Sequence, residues 1–166
     1  MSKVEQLTDK QEIYEVVCKY CRGLDRMDKE MAYSVWHDDG TALYHDMYEG
    51  TGHGFVDWVW SSHAQMERHS HQLANHLSIV EGESASSETY ITVALWTNPD
   101  SSGKQQEIIA KGRYLDQWSK RNGKWAISHR EHVLDMQTLN ELNRGYVNTV
   151  STRDTSDPSF RVMSKS

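Results

Sequence analysis

The chain has 166 residues, with 18 Lys and Arg against 24 Asp and Glu and a formal charge of −6. That is the size of one domain able to bury a core without disulfide staples. The acidic balance argues against a nucleic-acid partner, and no apolar run reaches the roughly 18 residues that a membrane-spanning helix needs.

The first half reads as helical. Thr8 followed by Gln11 matches a capping box. Ile13, Val16, Val17, Tyr20 and Leu24 then recur at helical spacing, and Gly23 and Asp25 lie where this helix should end. Asp28 is a candidate N-cap for a short second helix carrying Met31, Ala32, Val35 and Trp36, stopped by His37-Asp38-Asp39-Gly40. A strand over 41–45 and a turn over 49–52 precede a third helix. That helix places Phe55, Trp58, Val59 and Ser62 on one face and ends near Met66.

The second half reads as strands. Residues 69–80 and 88–97 alternate, 106–118 form a further strand, and 125–136 complete a meander. Asn98-Pro99-Asp100-Ser101-Ser102-Gly103 is a turn cluster, and Asn122-Gly123 is the strongest short hairpin signal in the chain. Helices first and a meander second imply an α+β layer arrangement, a curved antiparallel sheet around three N-terminal helices, with a cavity between the layers. The domain is expected over 1–137. Residues 138–166 are polar and read as an arm on a neighbour or a tail, with disorder as the default.

Six Trp and eight Tyr against two Phe, together with nine His, suggest an amphipathic pocket more than a plain aliphatic core. Its expected lining is Trp36, Tyr44, Phe55 and Trp58. Glycine-rich phosphate loops, the Gly-x-Ser-x-Gly elbow and His-Glu-x-x-His are absent, so neither a cofactor nor a metal is expected. Cys18 and Cys21 lie inside a helix rather than at its start, and read as packed, reduced thiols. The segment MSKVEQLTDKQE has no apolar signal region, so a cytoplasmic location is expected.

Among candidate chemical groups, Asp25 ends the first helix at the edge of its apolar stripe. It is either a solvated carboxylate or an acid turned towards the cavity. On the strand over 69–80, the odd positions His69, His71, Leu73, Asn75, Leu77 and Ile79 carry more apolar bulk and should face inward. An inward His71 suits a general base near neutral pH; the alternatives are a core histidine held by hydrogen bonds, or metal ligation together with His69. Arg130 shares a face with Ala126, Ser128, His132 and Leu134. It either binds an anionic group or pairs with an Asp, whereas Arg113 reads as part of a cross-strand ion pair.

Three segments carry a resemblance: IYEVVCKYCRGLDRMD, RHSHQLANHLSIVEG and GRYLDQWSKRNGKWAISHREH. Their order and content resemble the SnoaL-like, scytalone dehydratase-like branch of the nuclear transport factor-like superfamily over roughly 8–136. The resemblance implies a cone-shaped, cystatin-like α+β barrel and a catalytic dyad at Asp25 and His71. It further implies that Tyr20 and Arg130 assist. The chain would then be a cofactor-free, dehydratase-like lyase or isomerase acting on a small cyclic, largely apolar substrate. Asp25 would hold the His71 tautomer, and Tyr20 and Arg130 would bind a developing oxyanion or departing group. Trp36, Tyr44, Phe55, Trp58 and Asn75 would contact the substrate. Two readings from other classes remain: a non-catalytic structural subunit of the aromatic-ring dioxygenase type, and a small-molecule binding module. Tyr90 and Trp96 on the sheet's outer face, with the resemblance, imply a homo-oligomer, a trimer or else a dimer. Neither a nucleic acid nor a membrane is expected as a partner.

Overall fold

A computed structural model describes residues 2–145 and 149–163; the parts of the expected tail at 146–148 and 164–166 lie outside the described residues. The first helix, α1 (Lys3–Asp25), starts earlier than the Thr8–Gln11 pattern suggests. Ser2 accepts from the Glu5 N–H and Glu5 reaches back to the Ser2 N–H, a reciprocal cap, while Thr8 donates to the Val4 carbonyl inside the helix. Ile13, Val17, Tyr20, Cys21 and Leu24 form its buried stripe. Each large aliphatic side chain so buried contributes about 1.5–3 kcal/mol of transfer free energy.

The helix closes on a left-handed Met27 (φ 51°), with the Asp28 N–H donating to the Gly23 carbonyl at 2.8 Å. Asp28 then caps α2 (Lys29–Tyr33) through the Met31 N–H. A Cβ on Gly23 would lie 2.8 Å from the Ala32 backbone nitrogen, so the absence of a side chain there lets α2 fold back against α1.

Strand β1 (Trp36–Tyr44) begins five residues before the expected Thr41. The polar His37–Gly40 stretch, read as a stop, lies where the ladder to the last strand shifts register between Trp36 and Thr41. After β2 (Tyr48–Thr51), Thr51 caps α3 (Gly52–Ala64). A meander follows: β3 (Met66–Glu81), β4 (Ser84–Thr97), β5 (Gln106–Arg121) and β6 (Lys124–Glu141). The β5–β6 turn is Asn122-Gly123, both at positive φ (52° and 76°), as a two-residue hairpin of matching twist requires.

The six strands form one curved, unclosed sheet in the order β2-β1-β6-β5-β4-β3, antiparallel except for the parallel β1–β6 pair. Helix α1 lies against β3 and β6, and α3 against β1, β2 and β3, so the helices cover the inner face. This is the expected α+β architecture. No helix among the described residues is long and apolar enough to cross a membrane.

Three of the sheet's register breaks move residues off the faces that straight alternation gives them. On β3 the register passes from Leu73↔Ile91 to His76↔Thr89, which inserts one extra residue. His76, Ser78 and Val80 therefore take the inner face, and Leu77 and Ile79 are 69% and 59% exposed instead of inward. On β6 the extra residues are Ser128 and Asp135, so Arg130 shares its face with Ile127 rather than with Ala126 and Ser128.

The stretch read as a tail is partly strand. Residues 137–141 pair with 106–110 of β5, because backbone pairing to a partner of equal length outweighs their polar composition. Residues 151–160, with part of α4 (Pro158–Met163), return to the end of α1 on the same chain.

Candidate active site

The last turn of α1 and the beginning of β3 bring Asp25 and His71 together. His71 Nδ1 lies 2.6 Å from Asp25 Oδ1, and the His71 backbone N–H donates to Oδ1 and Oδ2 at 3.1 and 2.9 Å. The carboxylate can only accept, so Nδ1 carries the proton and Nε2 holds the lone pair that can take one. The side chains are 4% and 14% exposed. A carboxylate that accepts from both ring and backbone of one histidine fixes that histidine's rotamer and tautomer at once.

Two further imidazoles pack beside the dyad. The His69 ring centroid is 6.0 Å from that of His71 and 4.3 Å from that of His63, which is 5.6 Å from His71. His69 Nε2 lies 2.6 Å from the Leu24 carbonyl and therefore donates to it, while its Nδ1 accepts from Arg153 at 3.2 Å. Both nitrogens are engaged, so His69 has none left for a metal. Burial, then the neighbouring imidazoles, push the His63 pKa down to about 2. Burial likewise brings His69 to about 4, against the Leu24 hydrogen bond. The sequence did hold a signal for His63, since Phe55, Val59 and His63 follow one another at i, i+4, i+8 on the buried face of α3.

A second constellation lies deeper on the inner face. Arg130, fully buried, donates through Nε and Nη2 to Asp116 at 2.6 and 2.7 Å. Its guanidinium carbon lies 3.8 Å from the Tyr114 ring centroid, 4.5 Å from Tyr20 and 5.6 Å from Trp36. Nη1 is buried with no hydrogen-bond partner among the described residues. The Tyr20 and Tyr44 hydroxyls are 3.2 Å apart, and burial drives the Tyr20 pKa well above the usual phenol range, which keeps it a protonated donor. His132 packs into this group, against Tyr44 and Tyr114. Its ring stacks on Tyr44 at 4.9 Å, and burial, then the Arg130 charge, with a smaller push from His71, hold its pKa at about 4.

The placement of the expected substrate contacts differs from the reading of the sequence. Trp36, Tyr44 and Phe55 are 4%, 5% and 3% exposed, and Tyr44 stacks flat on Phe55 at 3.7 Å, so they fill the core. Trp58 is 41% exposed and tilts against Tyr48 and Phe55 from outside. Asn75 is exposed, carried outward by the β3 bulge. The accessible side of the inner face is aliphatic instead. Cross-strand register places His71, Val93 and Ala110 in one row, Leu95, Ile108 and Leu139 beside His69 in the next, and Leu73 and Leu134 on the other side. Val93, Leu95, Ile108 and Ala110 are half-buried, and Leu134 and Leu139 are exposed. Two open surface clefts lie along α1, one of about 860 Å³ beside β1 and the β5–β6 hairpin and one of about 610 Å³ beside the β3–β4 turn, and neither is lined by Asp25 or His71.

The remaining candidates have plain structural roles. Arg113 bonds Asp135 and Glu88 across strands. Cys18 and Cys21 are free thiols whose pKa values burial raises, so neither is a ready nucleophile.

Comparison with known proteins places this geometry. No curated protein matches the chain. Among solved structures, a Novosphingobium aromaticivorans protein provisionally named a scytalone dehydratase is 18% identical, covering 91% of this chain and 99% of its own, with a TM-score of 0.73. The hexachlorocyclohexane dehydrochlorinase LinA-type3 from Novosphingobium barchaimii is 16% identical, covering 89% and 100%, with a TM-score of 0.70. An NTF2-like protein with a cystatin-like fold from Novosphingobium aromaticivorans is 20% identical, covering 80% and 86%, with a TM-score of 0.65. These likenesses show the fold. The model of the SnoaL-like domain matches residues 5–131, a span that holds both members of the dyad and Arg130, and the chain therefore belongs to the SnoaL-like domain family.

Proposed function

We propose that the protein is a cofactor-free lyase or isomerase of the dehydratase type, with His71 as general base. The observation that carries this reading is the Asp25–His71 pair, whose Nδ1–H is held by the carboxylate and whose Nε2 keeps the lone pair. His71 Nε2 takes a proton from a carbon next to a carbonyl or to a carbon bearing a leaving group. The C–H electron pair then forms the new double bond as the leaving group departs with its own pair, or shifts to give an enolate. Asp25 stabilises the imidazolium, as a carboxylate does beside a catalytic histidine. Arg130 Nη1 and the Tyr20 hydroxyl are the donors proposed for the oxyanion or leaving group; both are fully buried, so contact requires the packed rings around them to part as substrate enters.

The half-buried aliphatic rows beside His71 support a small, largely apolar, cyclic substrate. Leu77, Ile79 and Tyr90, exposed on the outer face near the β3 edge, support a homo-oligomer, trimeric or dimeric.

The test is a panel of alicyclic alcohols, halides and ketones with an acidic C–H beside the reacting centre, followed by mass spectrometry. Loss of water or hydrogen halide, or double-bond migration, is expected from the wild-type protein. Binding without conversion would overturn this reading in favour of a binding module. Neither binding nor conversion, with a stable complex to a larger subunit, would overturn it in favour of a structural subunit.

A further inference from the structure

The mechanism above makes no use of the segment after β6, yet that segment is built around the end of α1. Arg26 Nη1 donates to Ser151 Oγ at 3.0 Å, to the Thr152 carbonyl at 2.7 Å and to Asp157 Oδ2 at 2.8 Å. Arg68 Nη1 holds the Ser151 carbonyl at 2.6 Å. Asp157, 7% exposed, gathers the loop by accepting from the Thr152 and Ser159 N–H groups and from the Ser159 hydroxyl. Arg153 reaches the other way: its Nη1 donates to the His63 carbonyl at 2.7 Å and to His69 Nδ1 at 3.2 Å.

The two arms hold the residues on either side of Asp25, Leu24 by its carbonyl and Arg26 by its side chain. A guanidinium only donates, so Arg153 makes His69 Nδ1 an acceptor and leaves the ring proton on Nε2. That proton goes to the Leu24 carbonyl, which belongs to the peptide joining Leu24 to Asp25. On the other side, the residue after Asp25 is Arg26, held by Ser151, Thr152 and Asp157. A tail that merely covered apolar surface would have no need to bring a guanidinium to an imidazole lone pair. Burial, with smaller pushes from Arg68 and Arg26, lowers the Arg153 pKa.

We propose that residues 151–159 form a clasp in which Arg153 and Asp157 are positioning residues for the dyad, acting on Asp25 through His69 and Arg26. The proposal rests on the reading of Asp25 and His71 as the catalytic pair. A shift of about 1 Å at a reacting group can cost on the order of a hundredfold in rate, so holding the backbone at Asp25 bears directly on turnover.

The test uses full-length protein with Arg153→Met, Arg153→Lys and Asp157→Asn, read by long-range proton–nitrogen spectra of the imidazoles. In the wild type, His69 shows a single Nε2–H tautomer and His71 a slowly exchanging Nδ1–H. With Arg153→Met, His69 keeps its Nε2–H on the Leu24 carbonyl but loses its Nδ1 partner, so its Nδ1 resonance shifts, and the His71 Nδ1–H exchanges at least about tenfold faster; Arg153→Lys restores both. On a converted substrate, kcat falls about tenfold to a hundredfold with little change in KM. The proposal is overturned if the His71 signal is unchanged while the His69 Nδ1 resonance shifts, or if wild-type His69 carries its proton on Nδ1. Should Arg153→Met fail to fold, Asp157→Asn, which loosens the Arg26 arm and the loop that Asp157 gathers, must still move the His71 resonance or the clasp is refuted. A protein that converts nothing while its His71 resonance follows Arg153 sinks the lyase reading and leaves the clasp standing.

Discussion

Asp116→Ala should be among the most destabilising single substitutions in this protein. Asp116 and Arg130 are 2% and 0% exposed, and Asp116 is the only acceptor on the buried guanidinium among the described residues. Removing the carboxylate strands Nε and Nη2 in addition to Nη1. Two hydrogen bonds to a charged group, at about 1.5–3 kcal/mol each, give about 3–6 kcal/mol, which agrees with the roughly 3–5 kcal/mol seen when one partner of a buried pair is deleted. At about 2–4 °C per kcal/mol for a domain of this size, the melting temperature should fall by about 6–20 °C. Urea unfolding should give the same loss with the denaturant slope unchanged. The solvent-facing Arg113–Asp135 pair is the internal control: Arg113→Ala should lower the melting temperature far less than Asp116→Ala does, and less still in high salt. A loss below about 1 kcal/mol for Asp116→Ala would refute the reasoning, since it would mean that the guanidinium finds water or another acceptor.

Further expectations differ in sign as well as size. Gly23→Ala adds a better helix former, normally worth up to about 1 kcal/mol. Here the new Cβ meets the Ala32 backbone nitrogen at 2.8 Å and the Asp28 carbonyl at 3.2 Å, so thermal melting should show a loss of about 1–3 kcal/mol, and a gain would sink the close-approach argument. His63, His69 and His132 are held neutral in the fold, with pKa values of about 2, 4 and 4, and regain a pKa near 6.5 when the chain unfolds. Unfolding therefore takes up protons below about pH 6.5: the stability is whole above that pH and lost as the pH falls towards 4, by about 4 kcal/mol per unit near pH 5. Urea midpoints that stay flat between pH 6.5 and 4.5 would contradict the burial of these rings. Asn75→Ala should change stability by no more than about 0.5 kcal/mol and leave turnover intact, because the bulge puts it outside; a large loss in either would put Asn75 back in the site.

How far the sequence could be read depended on where regular geometry persisted. Period-2 alternation runs unbroken from His69 to Leu73, so the inward direction of His71 was legible, and the helical stripe ending at Leu24 put Asp25 at the right rim. Two residues later the same alternation misplaced Asn75, because an inserted residue in a ladder leaves no compositional mark and inverts every side chain after it. The aromatic residues were readable as apolar bulk, but spacing does not say whether a ring faces another ring or a ligand. Tyr44 and Phe55 turned out to stack on each other, and Trp36 to lie against Tyr20 and Arg130. The polar composition after Met136 concealed both a strand and a hydrogen-bonded clasp, since what orders that segment is backbone pairing and arginine contacts rather than apolar burial.

The role of His71 as the base is tested most directly by the single-turnover rate of the wild type against His71→Ala on a compound that the wild type converts. General-base removal of a carbon-bound proton predicts a fall of about 10²–10⁴-fold, with the melting temperature changed by only a few degrees. A variant that folds and keeps more than about a tenth of the wild-type rate would contradict it.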